Sequence, residues 1–283
     1  MVFEDVKPKS SSSQALSIVS VSGLTTQGVL LSSLKTLEGC SSFMIQVLSC
    51  GHTAFCLYIA TVDGFPPGSA NIEKSWTCLQ EGIKGSMDLK VELSKIGQDT
   101  ILKGKTINYV TAASQIQGEL VGKAHQRISS SYSIPRTMKA QEVASMVEWL
   151  IKTGAFLDRE LNIQVKSYQP FSHPIIKDLI INQWFGSKGE GIKYASTFRD
   201  ISNALLTLVA AVVECALWAY ITGVKATHPN NFSSAKFQTC HQYYHMMLQC
   251  LQKNCLTWMT NLKKELYHGT WVALITCSRM ILN

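Results

Sequence analysis

The stretch QEVASMVEWLIKTG (residues 141–154) decides the fold class, because its apolar residues recur with the period of an α-helix. They follow the i, i+3, i+4, i+7, i+8 pattern of one buried helix face, which comprises Val143, Met146, Val147, Leu150 and Ile151. Gly154 follows directly and is expected to end the helix in the left-handed conformation. The pattern predicts an amphipathic helix that packs on a core.

The segment QPFSHPIIKDLIINQWFG (169–186) repeats this organisation. Ser172 or His173 can cap a helix whose first turn accepts Pro174, since proline lacks only an N–H that would be unpaired there. Its apolar face consists of Ile175, Ile176, Leu179, Ile180 and Trp184. We expect this face to share one core with the helix over 141–154.

A third segment, Ala204 to Val224, is long enough to span a bilayer, which requires about 20 apolar residues. Glu214 lies at its middle, where a charge costs roughly 2.5–3.5 kcal/mol inside lipid. A membrane span and the central helix of a soluble bundle both fit the length. We predict the central soluble helix and no membrane, with Glu214 as a buried polar residue that is paired, protonated or pointing out between helices.

These segments predict an all-α protein that consists of a single helical globular domain with a flexible Ser-rich N-terminal tail. We expect the helical domain to cover residues 61–267. Residues 1–60, the tail and a Cys-rich apolar segment, are expected outside it, and residues 268–283 form a C-terminal extension.

Composition excludes a disordered chain, because hydrophobic residues make up 46% of the 283 residues and charged residues only 16%. The nine cysteines are odd in number and lack the spacing of a disulfide framework. The N-terminus has no basic region followed by an apolar run, so no signal peptide is predicted. We therefore expect an intracellular protein, in the cytoplasm or nucleus, with free thiols.

The net charge of +7 is concentrated between Ile101 and Ala140, where six basic residues accompany one acidic residue. The candidate basic face consists of Lys123, Arg127, Arg136 and Lys139. Such a face can track phosphates, which makes nucleic-acid binding the alternative function. The competing interpretation is a solvated helix surface, since Tyr132 is the one aromatic residue among these cations. On the helix predicted over about 105–128, Gly118 and Gly122 share a face and would allow close helix packing.

Metal and catalytic sites have weak support in the sequence. His241 and His245 are four residues apart and have Cys240, Cys250 and Cys255 nearby, but the spacing matches no closed zinc site. Cys50, His52 and Cys56 form a second, weaker cluster. No nucleophile motif of the GxSxG kind and no phosphate-binding loop is present. We predict no metal, no cofactor and no catalytic residue, and an enzyme with an unrecognised pocket stays open.

Five blocks of the sequence carry a family resemblance: TVDGFPPGSANIEKSW (61–76), INYVTAASQIQGELVGKAHQRISSSYSIP (107–135), VEWLIKTGAFLDRELN (147–162), QPFSHPIIKDLIINQWFGSKGEGIKY (169–194) and LTLVAAVVECALWAYITGVKA (206–226). Their order and spacing resemble the family of domains of unknown function numbered 6532, which is abundant in mushroom-forming fungi. The resemblance runs from about Thr61 to about Leu266 and implies a soluble helical protein without an assigned activity. The leading hypothesis is a non-enzymatic interaction module that binds an unknown protein partner.

Overall fold

The computed structural model describes residues 41–66, 68–111, 115–135, 137–161, 169–186, 189–227 and 232–281. All regular secondary structure in these ranges is helical, which confirms the all-α prediction. The helices are α1 (Ser42–Thr61), α2 (Gly68–Gly82), α3 (Met87–Gln98), α4 (Thr100–Thr111), α5 (Gln115–Ser131), α6 (Ala140–Thr153), a 3-10 turn (Ala155–Leu157), α7 (Pro174–Trp184), α8 (Glu190–Lys193), α9 (Ala195–Phe198), α10 (Asn203–Trp218), α11 (Ser234–Asn254) and α12 (Leu256–Ile281). The flexible tail, predicted for about the first thirty residues, lies outside the described residues.

Helix α10 is the centre of the fold, because every residue from Ala204 to Leu217 is buried. It contacts α1, α5, α6, α7 and α11, so neighbouring helices surround it. The Ser202 hydroxyl accepts a hydrogen bond from the Leu205 N–H and caps its first turn. The helix has 16 residues and ends at Trp218, earlier than the predicted end at Val224.

Helices α6 and α7 confirm the core predicted from their apolar periods. On α6, Val143, Val147 and Leu150 are buried, and the apolar face of α7 is buried from Ile175 to Trp184. Met146 and Ile151, which the period also places on the α6 face, are only half-buried.

The ends of these two helices also form as predicted. Gly154 ends α6 in the left-handed conformation at φ 71°. The His173 ring accepts a hydrogen bond from the Ile175 N–H, and Pro174 occupies the first turn of α7.

Helix α1 packs inside the domain, whereas the sequence interpretation placed residues 1–60 outside it. It contacts α2, α3, α4 and α10, and buries Val47, Phe55 and Ile59 among others. Its Cys-rich sequence is apolar on nearly all sides, so the period does not reveal which face is buried. At the other end of the chain, α12 continues to Ile281, past the domain end expected at residue 267.

Close helix packing occurs at Gly51 and Gly82 instead of the predicted Gly118 and Gly122. A Cβ atom on Gly82 would lie 2.8 Å from the Cys50 carbonyl oxygen, so α1 and α2 approach too closely for a side chain there. Around Gly118 and Gly122 a Cβ atom would meet no described atom within 4 Å. The single helix expected over 105–128 is also two helices, because α4 ends at Thr111 and α5 begins at Gln115.

Helix α1 also has the composition of a membrane span. Among the described residues it is the one helix that is long and apolar enough to cross a bilayer, and 44% of its most apolar window is buried in the fold. Buried core helices of soluble proteins can have the same length and composition. That the protein does not insert into a membrane stays a prediction.

Candidate functional site

The contact between α10 and α11 contains a polar group that we call the Glu214 cluster: Glu214, Trp218, Cys240 and Tyr244. The Glu214 side chain is buried, with 6% of the residue exposed. Its Oε2 accepts a hydrogen bond from the Tyr244 hydroxyl at 2.5 Å. Its Oε1 accepts from the Trp218 indole N–H at 3.2 Å and from the Cys240 thiol at 3.5 Å. Three donors therefore satisfy the carboxyl group, as a buried acceptor requires.

The donors of the Glu214 cluster keep their protons at neutral pH. Burial, followed by the nearby Glu214 carboxylate, raises the pKa of the Cys240 thiol to about 12. The same two causes raise the pKa of the Tyr244 hydroxyl well above its usual range. A thiol with such a pKa is a poor nucleophile, because the thiolate is the reactive form. The cluster thus has the properties of a structural hydrogen-bond network.

A groove opens beside the first turn of α10 and residues 238–246 of α11, and we call it the loop groove. It has a volume of about 680 Å³ and lies between the end of α1, the loop 62–66, the start of α10 and one face of α11. Its lining residues are Tyr58, Val62, Asp63, Phe65, Ala204, Gln238, His241, Gln242, His245 and Met246.

The loop 62–66 is held in a defined conformation by contacts along its whole length. The Asp63 carboxylate accepts a hydrogen bond from the Phe65 N–H at 3.0 Å. The Gln117 side-chain amide on α5 donates to the carbonyl of Gly64. The Phe65 ring contacts the His241 ring edge-on, with their centroids 5.2 Å apart, so the loop is fixed to α11 as well.

Gly64 packs closely against α10 and α11. A Cβ atom there would lie 3.0 Å from Nε2 of His241 and 3.3 Å from the side chain of Leu208. A side chain at this position would require His241 or Leu208 to shift by a few tenths of an ångström. The wall of the loop groove is therefore closely packed at Gly64.

His241 joins the loop groove to the core. Its Nε2 lies 2.9 Å from the buried Thr207 hydroxyl on α10, and 7% of the residue is exposed. Burial lowers the pKa of His241, which the Asp63 carboxylate partly counteracts and His245 reinforces. The ring therefore favours its neutral form, which can share a hydrogen bond with Thr207.

The rim of the loop groove leaves apolar side chains in water. Val62 is 61% exposed and Met246 is 57% exposed, whereas Phe65, which also lines the groove, is buried. Single exposed apolar residues are common on proteins, but here two of them line the same concave surface.

The residues of the predicted basic face occupy different surroundings. Lys123 is half-buried, and its ammonium donates to the Asn182 carbonyl and to the Gln183 side chain, both at 2.8 Å. Arg127 donates to the Lys123 carbonyl at 3.1 Å. Lys139 is exposed at the start of α6, and Arg136 lies outside the described residues. The structure thus ties the Lys123 ammonium to α7, and nucleic-acid binding stays a prediction.

The predicted metal candidates do not converge in the described part of the chain. No group of three or more His, Cys, Asp or Glu side chains there is arranged to hold a metal ion. Instead, His241 contacts Thr207, His245 contacts Gln249 and the Cys56 thiol lies 3.8 Å from the His52 ring. The absence of a zinc site in solution stays a prediction.

The sequence analysis identified Glu214 as a buried polar residue. It did not identify the three hydrogen-bond partners of Glu214, and it did not identify the loop groove. The sequence contains one local signal for the groove wall, the Asp63-Gly64 pair, which is typical of a turn or loop. Thr207 gave no signal, because a threonine inside an apolar helix is unremarkable in sequence.

The sequence of this chain matches the model of a known protein family. The model of the family DUF6532, a domain of unknown function, matches residues 51–253. The chain belongs to this family. The match includes the loop 62–66, the Glu214 cluster and all lining residues of the loop groove. No curated protein and no solved structure matches the chain.

Proposed function

We propose that this DUF6532 protein is a non-enzymatic interaction module that binds an amphipathic helical segment of a partner protein in the loop groove. The observation that carries the proposal is the pair of exposed apolar side chains, Val62 and Met246, in the lining of a groove that also contains the buried Phe65. Helix-in-groove recognition uses such a surface, because the apolar face of the incoming helix removes these side chains from water.

The charge of the groove specifies the partner further. Asp63 is the one formally charged residue among the described lining residues, in a protein whose net charge is +7. A basic residue beside the apolar anchors of the partner would meet this carboxylate, whereas an acidic residue would be repelled. We therefore expect a segment with leucine-like anchors and flanking lysine or arginine.

An interaction role also agrees with the chemistry of the neighbouring polar side chains. Cys240 and Tyr244 hold their protons through the Glu214 cluster, and His241 is held by Thr207. None of these three groups supplies an activated nucleophile to the groove.

We also propose an intracellular location. Among the described residues, Cys50, Cys56, Cys78, Cys240, Cys250 and Cys255 are free thiols. Free thiols of this number fit a reducing compartment.

Titration with two designed peptides tests the proposal. One is a fluorescent leucine–lysine peptide with helical apolar period, and the other is its leucine–glutamate counterpart. Fluorescence anisotropy should give saturable binding of the leucine–lysine peptide and at least about tenfold weaker binding of the leucine–glutamate peptide. The net charge of the protein favours the opposite order, so the expected result requires a local acidic site.

Variants locate the binding. Met246→Gln should weaken binding of the leucine–lysine peptide by about tenfold, because an apolar anchor site is lost. Met87→Gln is the matched control, since Met87 is also exposed, at 72%, and lies on α3 outside the groove. Asp63→Asn keeps an acceptor for the Phe65 N–H and removes the charge, and should reduce the preference between the two peptides. Equal binding by the Met246→Gln and Met87→Gln proteins would contradict the proposal.

A further inference from the structure

We propose a second binding site, for a small organic phosphate, in the cleft between the Arg199–Asp200 turn and α12. We call it the α12 cleft. It has a volume of about 600 Å³, within the range of about 300–1,000 Å³ that small-molecule sites occupy. It does not share a lining residue with the loop groove.

One face of α12 supplies most of the cleft. Met259, Lys263, Lys264 and His268 line it, and their spacing of four or five residues places them on neighbouring turns of the same helix side. Arg199 approaches from the turn that follows α9. Two separate chain segments therefore direct cationic side chains to one cleft.

The positive charge of the α12 cleft is only weakly compensated. Asp200 is its one described carboxylate, and it lies 3.9 Å from the Lys263 ammonium, at the long limit of an ion pair. Asp200 is 86% exposed, so water competes strongly with this contact. Arg199 and Lys264 have no ion pair with any described side chain. Three cations therefore face a cleft that contains one carboxylate.

Lys263 distinguishes this cleft from an ordinary charged surface. Only 16% of its side chain is exposed, although lysines normally extend into water. Its stem packs in the wall of the cleft, and its ammonium has a single distant partner. A bound anion would supply close hydrogen-bond acceptors to this partly buried ammonium group.

The chemistry of the lining favours a phosphomonoester. A phosphate carries two charges and three acceptor oxygens at neutral pH, which suits one guanidinium fork and two ammonium groups better than a single carboxylate does. Leu256 and Met259 add an apolar wall beside the cations. The ligand should therefore combine a phosphate with an apolar or aromatic body.

Phenyl phosphate and inorganic phosphate are the probes that test the α12 cleft, measured by isothermal titration calorimetry at low ionic strength. Phenyl phosphate should bind saturably at millimolar concentration or below, and more tightly than inorganic phosphate, because its ring contacts the apolar wall. The double substitution Arg199→Gln/Lys264→Gln should weaken binding at least about tenfold. Both residues are exposed, so the variant is expected to fold.

Lys90→Gln is the matched control, because Lys90 is an exposed lysine on α3 outside the cleft. It should leave the affinity for phenyl phosphate unchanged. Lys263→Met should abolish binding while circular dichroism shows an intact helical fold. The site is overturned if phenyl phosphate does not saturate, or if the double variant and Lys90→Gln bind it equally. Equal affinities for phenyl phosphate and inorganic phosphate would overturn the assignment of an organic ligand.

Discussion

The Glu214 cluster and the loop groove both involve α10 and α11. Their polar side chains differ in how far they are bonded inside the protein and how far they are open to water. In the cluster, a buried carboxyl group receives three hydrogen bonds from α10 and α11, and α10 is buried from Ala204 to Leu217. In the groove, the His241 ring contacts the buried Thr207 hydroxyl, while Asp63, Val62 and Met246 line a space that is open to water.

This difference separates residues that hold the fold from residues that are available to a partner. A buried polar group with all partners inside the protein has little to offer a ligand, and its removal leaves those partners unpaired. A groove residue that contacts water can change with little effect on the fold. The two regions should therefore respond oppositely to substitution, the cluster in stability and the groove in binding.

The largest effect is expected from Glu214→Ala. The change leaves the buried Tyr244 hydroxyl without its acceptor, which costs about 1–3 kcal/mol, and also opens a small cavity. We expect the free energy of unfolding to fall by about 3 kcal/mol in urea titrations, and Glu214→Gln, which keeps an acceptor, to lose less. An Ala variant as stable as the Gln variant would show that the cluster does not stabilise the fold.

A pH titration of stability tests a second enclosed polar residue, His173, which stacks on Tyr132 with their ring centroids 4.6 Å apart. Burial lowers the pKa of His173 from 6.5 to about 4. As the pH falls below 6.5, the unfolded chain binds a proton at His173 and the folded protein does not, so stability decreases. The decrease ends near pH 4, where the folded protein also binds the proton.

The loss attributable to His173 should approach about 3 kcal/mol, since each pKa unit corresponds to about 1.4 kcal/mol. His173→Asn keeps a helix-capping side chain without the titration. Urea unfolding of both proteins at pH 7 and near pH 4 measures the difference. The same pH dependence in both would exclude His173 as its source.

Thr207→Val should affect both stability and binding, because Thr207 is buried on α10 and contacts the groove residue His241. The substitution removes the hydroxyl that contacts Nε2 of His241 and leaves a buried ring nitrogen unpaired, at a cost of about 1–3 kcal/mol. We expect a loss of stability in urea titrations together with weaker binding of the leucine–lysine peptide. Thr207→Ser, which retains the hydroxyl, should recover peptide binding. If it does not, the hydroxyl is not what positions His241.

The smallest effect on stability is expected from Met246→Gln. Because Met246 is 57% exposed and lies on the groove rim, its replacement should change the free energy of unfolding by about 0.5 kcal/mol or less. Peptide binding should nevertheless weaken by about tenfold. A large loss of stability in this variant would place Met246 among the residues that hold the fold.

The helices with a clear apolar period were predictable from the sequence. Val143, Val147 and Leu150 on α6 and the buried face of α7 follow directly from the spacing of their residues. The signals at their ends, Gly154 and His173-Pro174, are local and act within one helical turn. Helix α1 was missed as part of the domain because nearly all of its sides are apolar, which removes the period that marks a buried face.

The contacts that build the two polar regions were not predictable, since they join distant parts of the chain. The partners of Glu214 on α11 are 26 and 30 residues further along, and Gln117 lies 53 residues after the loop carbonyl that it contacts. Periodicity identifies a buried face but does not tell which helix covers it. The sequence could therefore predict that Glu214 needs partners, without naming Tyr244.

Methyl NMR of the methionines tests the central claim most directly. The chain has nine methionines, and Met246 lies on the groove rim while Met87 is exposed on α3 and Met259 is buried on α12. On addition of the leucine–lysine peptide, the Met246 methyl signal, assigned through Met246→Gln, should shift saturably, and the signals of Met87 and Met259 should not move. A peptide that binds while the Met246 signal stays in place, or that shifts Met87 equally, would contradict the account.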